Sequence, residues 1–291
     1  MLNESTSWCL SSWKQARHEG VDRALVQMAT GVGKTYLSAF DSRPYPTVLF
    51  VAHREEILKQ ALRSFYNVRG GDRTAYGFFM GERKDTNKKF LFASVATLGQ
   101  AKYLSSDYYA PDAFSYIVID EFHHAVNQNY QHIIDYFHPK FLLGLTATPE
   151  RLDGRDIFAL CDYNVPYELS IGEAINRGML APFHYYGIYD PTDYSNIHTI
   201  HGHYKESDLE QKYLSNLQRT DLIIKHFQKH HPRCAIGFCA SRKHAKAMAK
   251  AFQCAGIPSA AVYSNATPDM LVLERTEAIR KLKNHRVPIF S

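Results

Sequence analysis

Met28-Ala29-Thr30-Gly31-Val32-Gly33-Lys34-Thr35 follows a short apolar run, Ala24–Met28, and opens a stretch with helical patterning. Strand, glycine turn and helix in that order make the setting in which a loop can hold phosphate. Glycines let the backbone turn so that successive N–H groups face one point. The helix that follows aims the positive end of its dipole at the same point. In such a loop Thr30, Gly31, Val32 and Gly33 supply backbone, Lys34 reaches the β- and γ-phosphates, and the Thr35 hydroxyl binds Mg²⁺. The general pattern is GxxxxGK[ST], and Met28 stands where its first glycine belongs.

A loop of this kind needs an acid at the end of a neighbouring strand to hold the metal ion. The run Tyr116-Ile117-Val118-Ile119 ends in Asp120-Glu121-Phe122-His123. Two adjacent carboxylates behind a buried strand are costly unless they serve a cation. Asp120 is expected in the Mg²⁺ shell, and Glu121 where it can orient or deprotonate an attacking water. His123 and His124 lack an HExxH pattern or surrounding Cys/His zinc spacing. They read as polar contacts to the nucleotide site or to a neighbouring element. His198, His201 and His203 fall in a polar stretch, Asp190–Glu206, that reads as a linker or solvated loop.

Outward from these two motifs, short β-branched or aromatic runs alternate with helical stretches. Strands are expected at 24–28, 47–52, 75–79, 90–94, 116–120 and 140–145, with helices at 55–65 and 130–137 among them. Continuous apolar strands alternating with helices argue for a parallel sheet covered on both faces. After Pro149 the texture changes. Ser170-Ile171-Gly172-Glu173 matches a capping box, and Gly178 stands where a helix-ending glycine would, so a short helix is expected at 171–177. Ser207-Asp208-Leu209-Glu210 is a second such pattern, opening a helix to about His230. A second strand–helix alternation begins near residue 216, with strands at 235–239, 258–263 and 287–291 and helices at 243–254 and 268–283.

The chain has 291 residues, 45% hydrophobic and 22% charged, with a formal charge of +5. These values suit a folded protein of about two domains and exclude a disordered, collagenous or coiled-coil chain. The mild positive charge permits a polyanionic partner without requiring one. No apolar run approaches the roughly 18 residues of a membrane span, and the first residues lack a signal-peptide pattern. Five cysteines without a CxxC pair fit reduced thiols in a cytoplasmic protein. A GTPase would want an NKxD motif, and Asn87-Lys88-Lys89-Phe90 lacks its aspartate.

The motifs together resemble the DExH-box helicases of superfamily two, and by texture the type III restriction subunit and UvrB-like group. The run 28–35 looks like motif I and DEFH like the DExH box. Phe50-Val51-Ala52-His53-Arg54-Glu55, with Gln60 following, resembles motif Ia, and Ala93-Ser94-Val95-Ala96-Thr97-Leu98 resembles motif Ib. Leu145-Thr146-Ala147-Thr148-Pro149-Glu150-Arg151 resembles motif III, and Ile236-Gly237-Phe238-Cys239-Ala240-Ser241-Arg242 resembles motif IV. The resemblance implies an α/β P-loop NTPase: a RecA-like parallel-sheet domain at 1–165, a connecting region at 166–215, and the first part of a second RecA-like domain at 216–291. It implies ATP between two such domains and a nucleic-acid strand across them. Arg54 and Thr97, with Ser241 and Arg242 from the second domain, would contact backbone phosphates. Thr146, Thr148 and His123 would relay between the ATP site and the strand. Runs at Arg83–Lys89 and Arg242–Lys250 add basic candidates.

On this resemblance the chain is an ATP-dependent helicase or translocase, or a fragment of one, acting on nucleic acid, DNA favoured over RNA. The alternative is a non-catalytic nucleic-acid- and ATP-binding module with impaired turnover. No Arg matches motif VI, the family's arginine finger, and motif V is also missing. The expectation is therefore weak turnover, a need for a missing C-terminal part or a partner protein, and a second sheet ending on an unpaired strand with exposed apolar surface. The upstream adenine motif is not recognisable either, with Trp13 and Gln15 as its remnants.

Overall fold

Eight strands form one sheet in the first half of the chain: β1 (Arg23–Met28), β2 (Val48–Ala52), β3 (Tyr76–Met80), β4 (Arg83–Lys84), β5 (Phe90–Ser94), β6 (Tyr116–Asp120), β7 (Phe141–Thr146) and β8 (Tyr167–Leu169). Their order across the sheet is β4-β3-β5-β2-β6-β7-β1-β8. Every neighbouring pair is parallel except the short β3–β4 edge pair. The coordinates are a computed structural model, which describes residues 10, 11, 13, 15, 17–148, 156–200, 203–263, 271–284 and 289–290.

Side chains alternate across a strand, and both faces of this sheet are covered. One face buries Val26, Phe50, Phe92, Val118 and Leu143 against Trp13, Leu37, Leu58 and Phe65. The other buries Leu25, Leu49, Leu91, Ile117 and Leu142 against Phe114, Tyr130, Ile133 and Phe137. Two-sided burial is why the central strands read as unbroken apolar runs. The covering helices are α1 (Lys34–Asp41), α2 (Glu55–Arg69), α3 (Val95–Leu98) and α4 (Gln128–Tyr136). This is the RecA-like sheet of a P-loop NTPase.

The chain divides into two compact units, Met1–His184 and Tyr185–Ser291. The division falls within the stretch expected to connect two domains. In the first unit, α5 (Ile171–Asn176) is a short helix whose N-terminus carries the expected capping box: Ser170 accepts from the Glu173 N–H, and Glu173 reaches back to the Ser170 N–H. The Gly178 N–H closes its end on the Ile175 carbonyl at 2.9 Å.

In the second unit, β9 (Thr199–Ile200) and β10 (His203–Tyr204) pair antiparallel within the stretch read as a linker. His201 lies outside the described residues. The pattern at Ser207–Glu210 is not a capping box. The helix α6 (Glu206–Ser215) begins one residue earlier, with extended Lys205 as its N-cap, and Ser207 is already helical. A second helix, α7 (Leu217–His230), starts separately with Asn216 accepting from the Arg219 N–H. The strands β11 (Ile236–Gly237), β12 (Ala260–Ala261) and β13 (Ile289–Phe290) form a parallel sheet in the order β11-β13-β12. The last strand, β13, lies in the middle and pairs on both sides, which leaves β11 and β12 as the edges among the described strands. Parallel strands are joined by crossovers, so sheet order need not follow chain order. The β11 edge carries exposed apolar residues, Ile236 on the strand and Phe238 just after it. Helices α8 (Arg242–Cys254) and α9 (Arg275–Lys283) complete the unit. The face of α8 bearing Ala245, Met248, Ala249 and Phe252 is buried with Ala261 and Val272.

Candidate functional site

Three strand ends meet at one edge of the large sheet. β6, β7 and β1 are neighbours, with Asp120 opposite Leu145 and Thr146 opposite Gln27. In a parallel sheet all carboxyl ends open at the same edge, where chemistry-bearing loops collect. The loop after β1, the turn after β6 and the segment after β7 are therefore adjacent.

Gly31 and Gly33 both have φ +93°, a conformation closed to most side chains. They turn the loop so that Lys34 opens α1. The Lys34 ammonium donates to the carbonyls of Met28 (2.9 Å) and Ala29 (3.4 Å). Met28 serves this loop through its carbonyl while its side chain is buried in the core. That is how a bulky residue is accommodated at the first glycine position. Val32 packs against the core rather than into the cavity.

A cavity of about 380 Å³ is lined by Thr30, Gly31, Gly33, Lys34, Thr35, Asp120 and Glu121, closed by Tyr36, Ile57, Gln60 and Ser64. Asp120 is only 8% exposed. Burial, reinforced by the charge of Glu121, pushes its carboxyl up to about 6, against the pull of Lys34. Burial likewise lowers the Lys34 ammonium, and the two carboxylates partly restore it. Perturbed, mutually dependent charges in a cleft mark a site built for a charged ligand.

Glu121 itself is left-handed, φ 53° and ψ 52°, which costs a non-glycine residue roughly 1–2 kcal/mol. The kink sends the buried Phe122 ring down onto Gly144 of β7. It brings His123 Nδ1 to 3.3 Å from Glu121 Oε2 and 3.2 Å from Thr146 Oγ1. Thr146 Oγ1 also accepts from the Thr148 N–H at 3.2 Å. Short contacts thus run from Glu121 to His123, from His123 to Thr146 and from Thr146 to Thr148. Pro149, Glu150 and Arg151 lie outside the described residues.

The residues expected on phosphates are spread over both units. Arg54, exposed at the N-cap of α2, donates from Nε to His53 Nε2 at 3.0 Å. Thr97 is buried, and its hydroxyl accepts from the Gly81 N–H at 3.2 Å. Ser241 caps α8, accepting from the His244 N–H at 3.1 Å. The Arg242 guanidinium lies 5.8 Å from the Tyr263 ring centroid. Much of the basic run after β3 is used internally: Arg83 pairs with Asp85 at 2.7 Å, and Lys88 donates to the Thr74 carbonyl. His198 pairs with Asp208 at 2.7 Å. Among the described residues no group of three or more His, Cys, Asp or Glu could hold a metal. No described helix is long and apolar enough to cross a membrane, and Cys161, Cys234, Cys239 and Cys254 are free thiols.

Upstream, Trp13 is fully buried in the core, whereas Gln15 is exposed and bonds Glu19. Sequence reading left out Tyr36, Ile57 and Ser64. The spacing 57, 60, 64 puts three of the cavity's residues on one face of α2, a signal present in the sequence but indistinguishable there from an ordinary amphipathic helix.

A family model described as "Type III restriction enzyme, res subunit" matches residues 2–151. The chain is 24% identical over 269 residues to a 51.5 kDa protein of Lactococcus phage (isolate 7-9), covering 91% of this chain and 53% of that one. It is 26% identical over 266 residues to the Type I restriction enzyme EcoAI endonuclease subunit of Escherichia coli, covering 81% and 32%. To IRC3 of Saccharomyces cerevisiae, provisionally named an ATP-dependent helicase, it is 25% identical over 302 residues, covering 95% and 41%. The chain thus spans 32% to 53% of the length of these relatives.

Proposed function

The chain belongs to the type III restriction enzyme res-subunit family, and we propose that it is an ATP-dependent helicase or translocase that couples ATP hydrolysis to movement on nucleic acid. The observation that carries this reading is the single cavity shared by Lys34, Thr35, Asp120 and Glu121, joined through His123 to Thr146. Membership of the family implies nucleotide use. The restriction-enzyme subunits among its relatives support DNA over RNA as the track.

In this reading Lys34 leaves the Met28 and Ala29 carbonyls for the β- and γ-phosphates, and the loop's N–H groups cradle them. Thr35 and Asp120 offer an all-oxygen pair, one hydroxyl and one carboxylate, which suits Mg²⁺, an ion usually held by one or two protein oxygens plus the phosphates. Held there with the nucleotide, Mg²⁺ would supply charge neutralisation at the phosphate oxygens. Glu121 orients a water for attack on the γ-phosphorus and takes its proton as the bond to ADP breaks. His123 holds Glu121 on one side and Thr146 on the other. A shift of the segment after β7 is then felt at the catalytic carboxylate. Arg54, Thr97, Ser241 and Arg242 are assigned to backbone phosphates, contacts that carry affinity without sequence information.

The test is ATP turnover by this chain with single-stranded DNA, duplex DNA and RNA, beside Lys34→Ala. DNA should stimulate turnover more than RNA, and Lys34→Ala should abolish it. Turnover and strand binding that both survive Lys34→Ala would overturn ATP coupling.

A further inference from the structure

A second cavity in the first unit, about 460 Å³, shares no lining residue with the nucleotide cavity. It opens at the same edge of the sheet. His53 follows β2, Val95 and Ala96 follow β5, and His124 follows β6, three strands that lie side by side. Asn127, Gln128 and Asn129, at the start of α4, are exposed and form the outer wall.

The chemistry of the walls is specific. They contain no Lys, Arg, Asp or Glu. His53 Nε2 accepts from the Arg54 guanidinium, which fixes the ring as neutral with its proton on Nδ1. Burial and the Arg54 charge hold it so, pushing its pKa below the usual value against the pull of Glu121. A phosphate or a metal ion would find no counter-charge in this lining. A neutral planar ring finds what it needs. Carboxamides present a donor and an acceptor together, as base edges do. Imidazoles are surfaces on which unstacked bases stack. The two rings are His53 and His124, edge to face with centroids 5.7 Å apart. Tyr130, also in the wall, is 3% exposed, and its buried hydroxyl has no hydrogen-bond partner.

We propose that this cavity takes one unstacked nucleobase of the bound strand, held by the Asn127–Asn129 carboxamides and stacked against the His53–His124 pair. The proposal rests on the nucleic-acid reading above and adds to it a base contact beside the phosphate contacts. His124 also packs on His123, centroids 4.1 Å apart. A seated base therefore leans on the residue that holds Glu121.

The test compares fluorescence anisotropy of a labelled oligothymidylate with that of an abasic strand of the same length and backbone, using the full chain. Base stacking is worth roughly 1–3 kcal/mol, or about fivefold to 150-fold in affinity. The wild type should prefer the base-bearing strand by that factor. Asn127→Ala and Gln128→Ala should each erode the preference severalfold, with affinity for the abasic strand and unstimulated ATP turnover unchanged. Asn127 and Gln128 are exposed, so their variants keep the fold. Equal affinity of the wild type for both strands would overturn this proposal alone, as would variants that weaken both strands equally. Binding of neither strand would overturn the nucleic-acid reading and this proposal with it. Free adenosine separates a strand-borne base from a free one. No displacement is expected, and full displacement would overturn the strand as the source.

Discussion

Asp120 carries the clearest conflict between stability and function at the scale of one residue. Its carboxyl, raised to about 6 by burial and by Glu121, binds a proton more tightly in the fold than in the unfolded chain, where the value is about 3.9. Such a group contributes stability at low pH and loses it as pH rises from roughly 4 through 6. At neutral pH Asp120→Asn should therefore stabilise the nucleotide-free chain by on the order of 3 kcal/mol, while ATP turnover is lost. Thermal denaturation should show the gain at neutral pH and show it vanishing near pH 4. The kcat/KM of the wild type, which reports the nucleotide-free enzyme, should fall as pH drops below about 6, because a protonated Asp120 cannot ligate Mg²⁺. A pH–rate profile checks that fall. Glu121→Gln keeps the fold and the cradle but removes the proton acceptor. It should lower turnover by roughly 10²–10⁴-fold with ATP affinity retained, as measured by nucleotide titration.

At the scale of the element, β7 is shaped to receive the turn that follows β6. A Cβ on Gly144 would lie 2.6 Å from the Phe122 ring. Phe122 stands between Glu121 and His123, so displacing it displaces both. Gly144→Ala should cost roughly 1–3 kcal/mol through overpacking and depress turnover further than the stability loss explains. Gly172→Ala is the control. Its Cβ would meet nothing, and within α5 it should stabilise by up to about 1 kcal/mol. The two capping patterns show where element reading succeeds and fails. Ser170 is extended (ψ 163°) and caps α5. Ser207 already lies inside α6, and Lys205 is the residue that leaves the helical path. The spacing of a serine and a glutamate says that a cap is available, whereas the backbone path of the preceding residues decides whether it is used.

For the first unit as a whole, one buried ion pair ties its start to its centre. Arg17 makes a bidentate pair with Asp41 at 2.8 and 2.7 Å, at the end of α1. Tyr116 of β6 donates to the same carboxylate at 2.7 Å, and the guanidinium lies over the Phe141 ring of β7. The Asp41 side chain is fully buried. Removing one partner of such a pair strands the other charge. Arg17→Ala should destabilise by about 3–5 kcal/mol, read by chemical denaturation. The pair links residues far apart in the chain through no motif, and no local pattern could have announced it.

The sequence by itself determined the phosphate loop, the DEFH acids, the parallel strands that carry them and the segment after β7. Phosphate chemistry needs its groups contiguous on one strand–turn–helix, and two-sided burial writes each strand as an apolar run. Packing alone decided which distant groups meet. His123 between Glu121 and Thr146, Gln60 and Ser64 over the loop, Arg17 on Asp41, β13 between β11 and β12, and the neutral cavity at His53 all depend on strand order. That order is set by how crossover helices bury their apolar faces, not by neighbours in the chain.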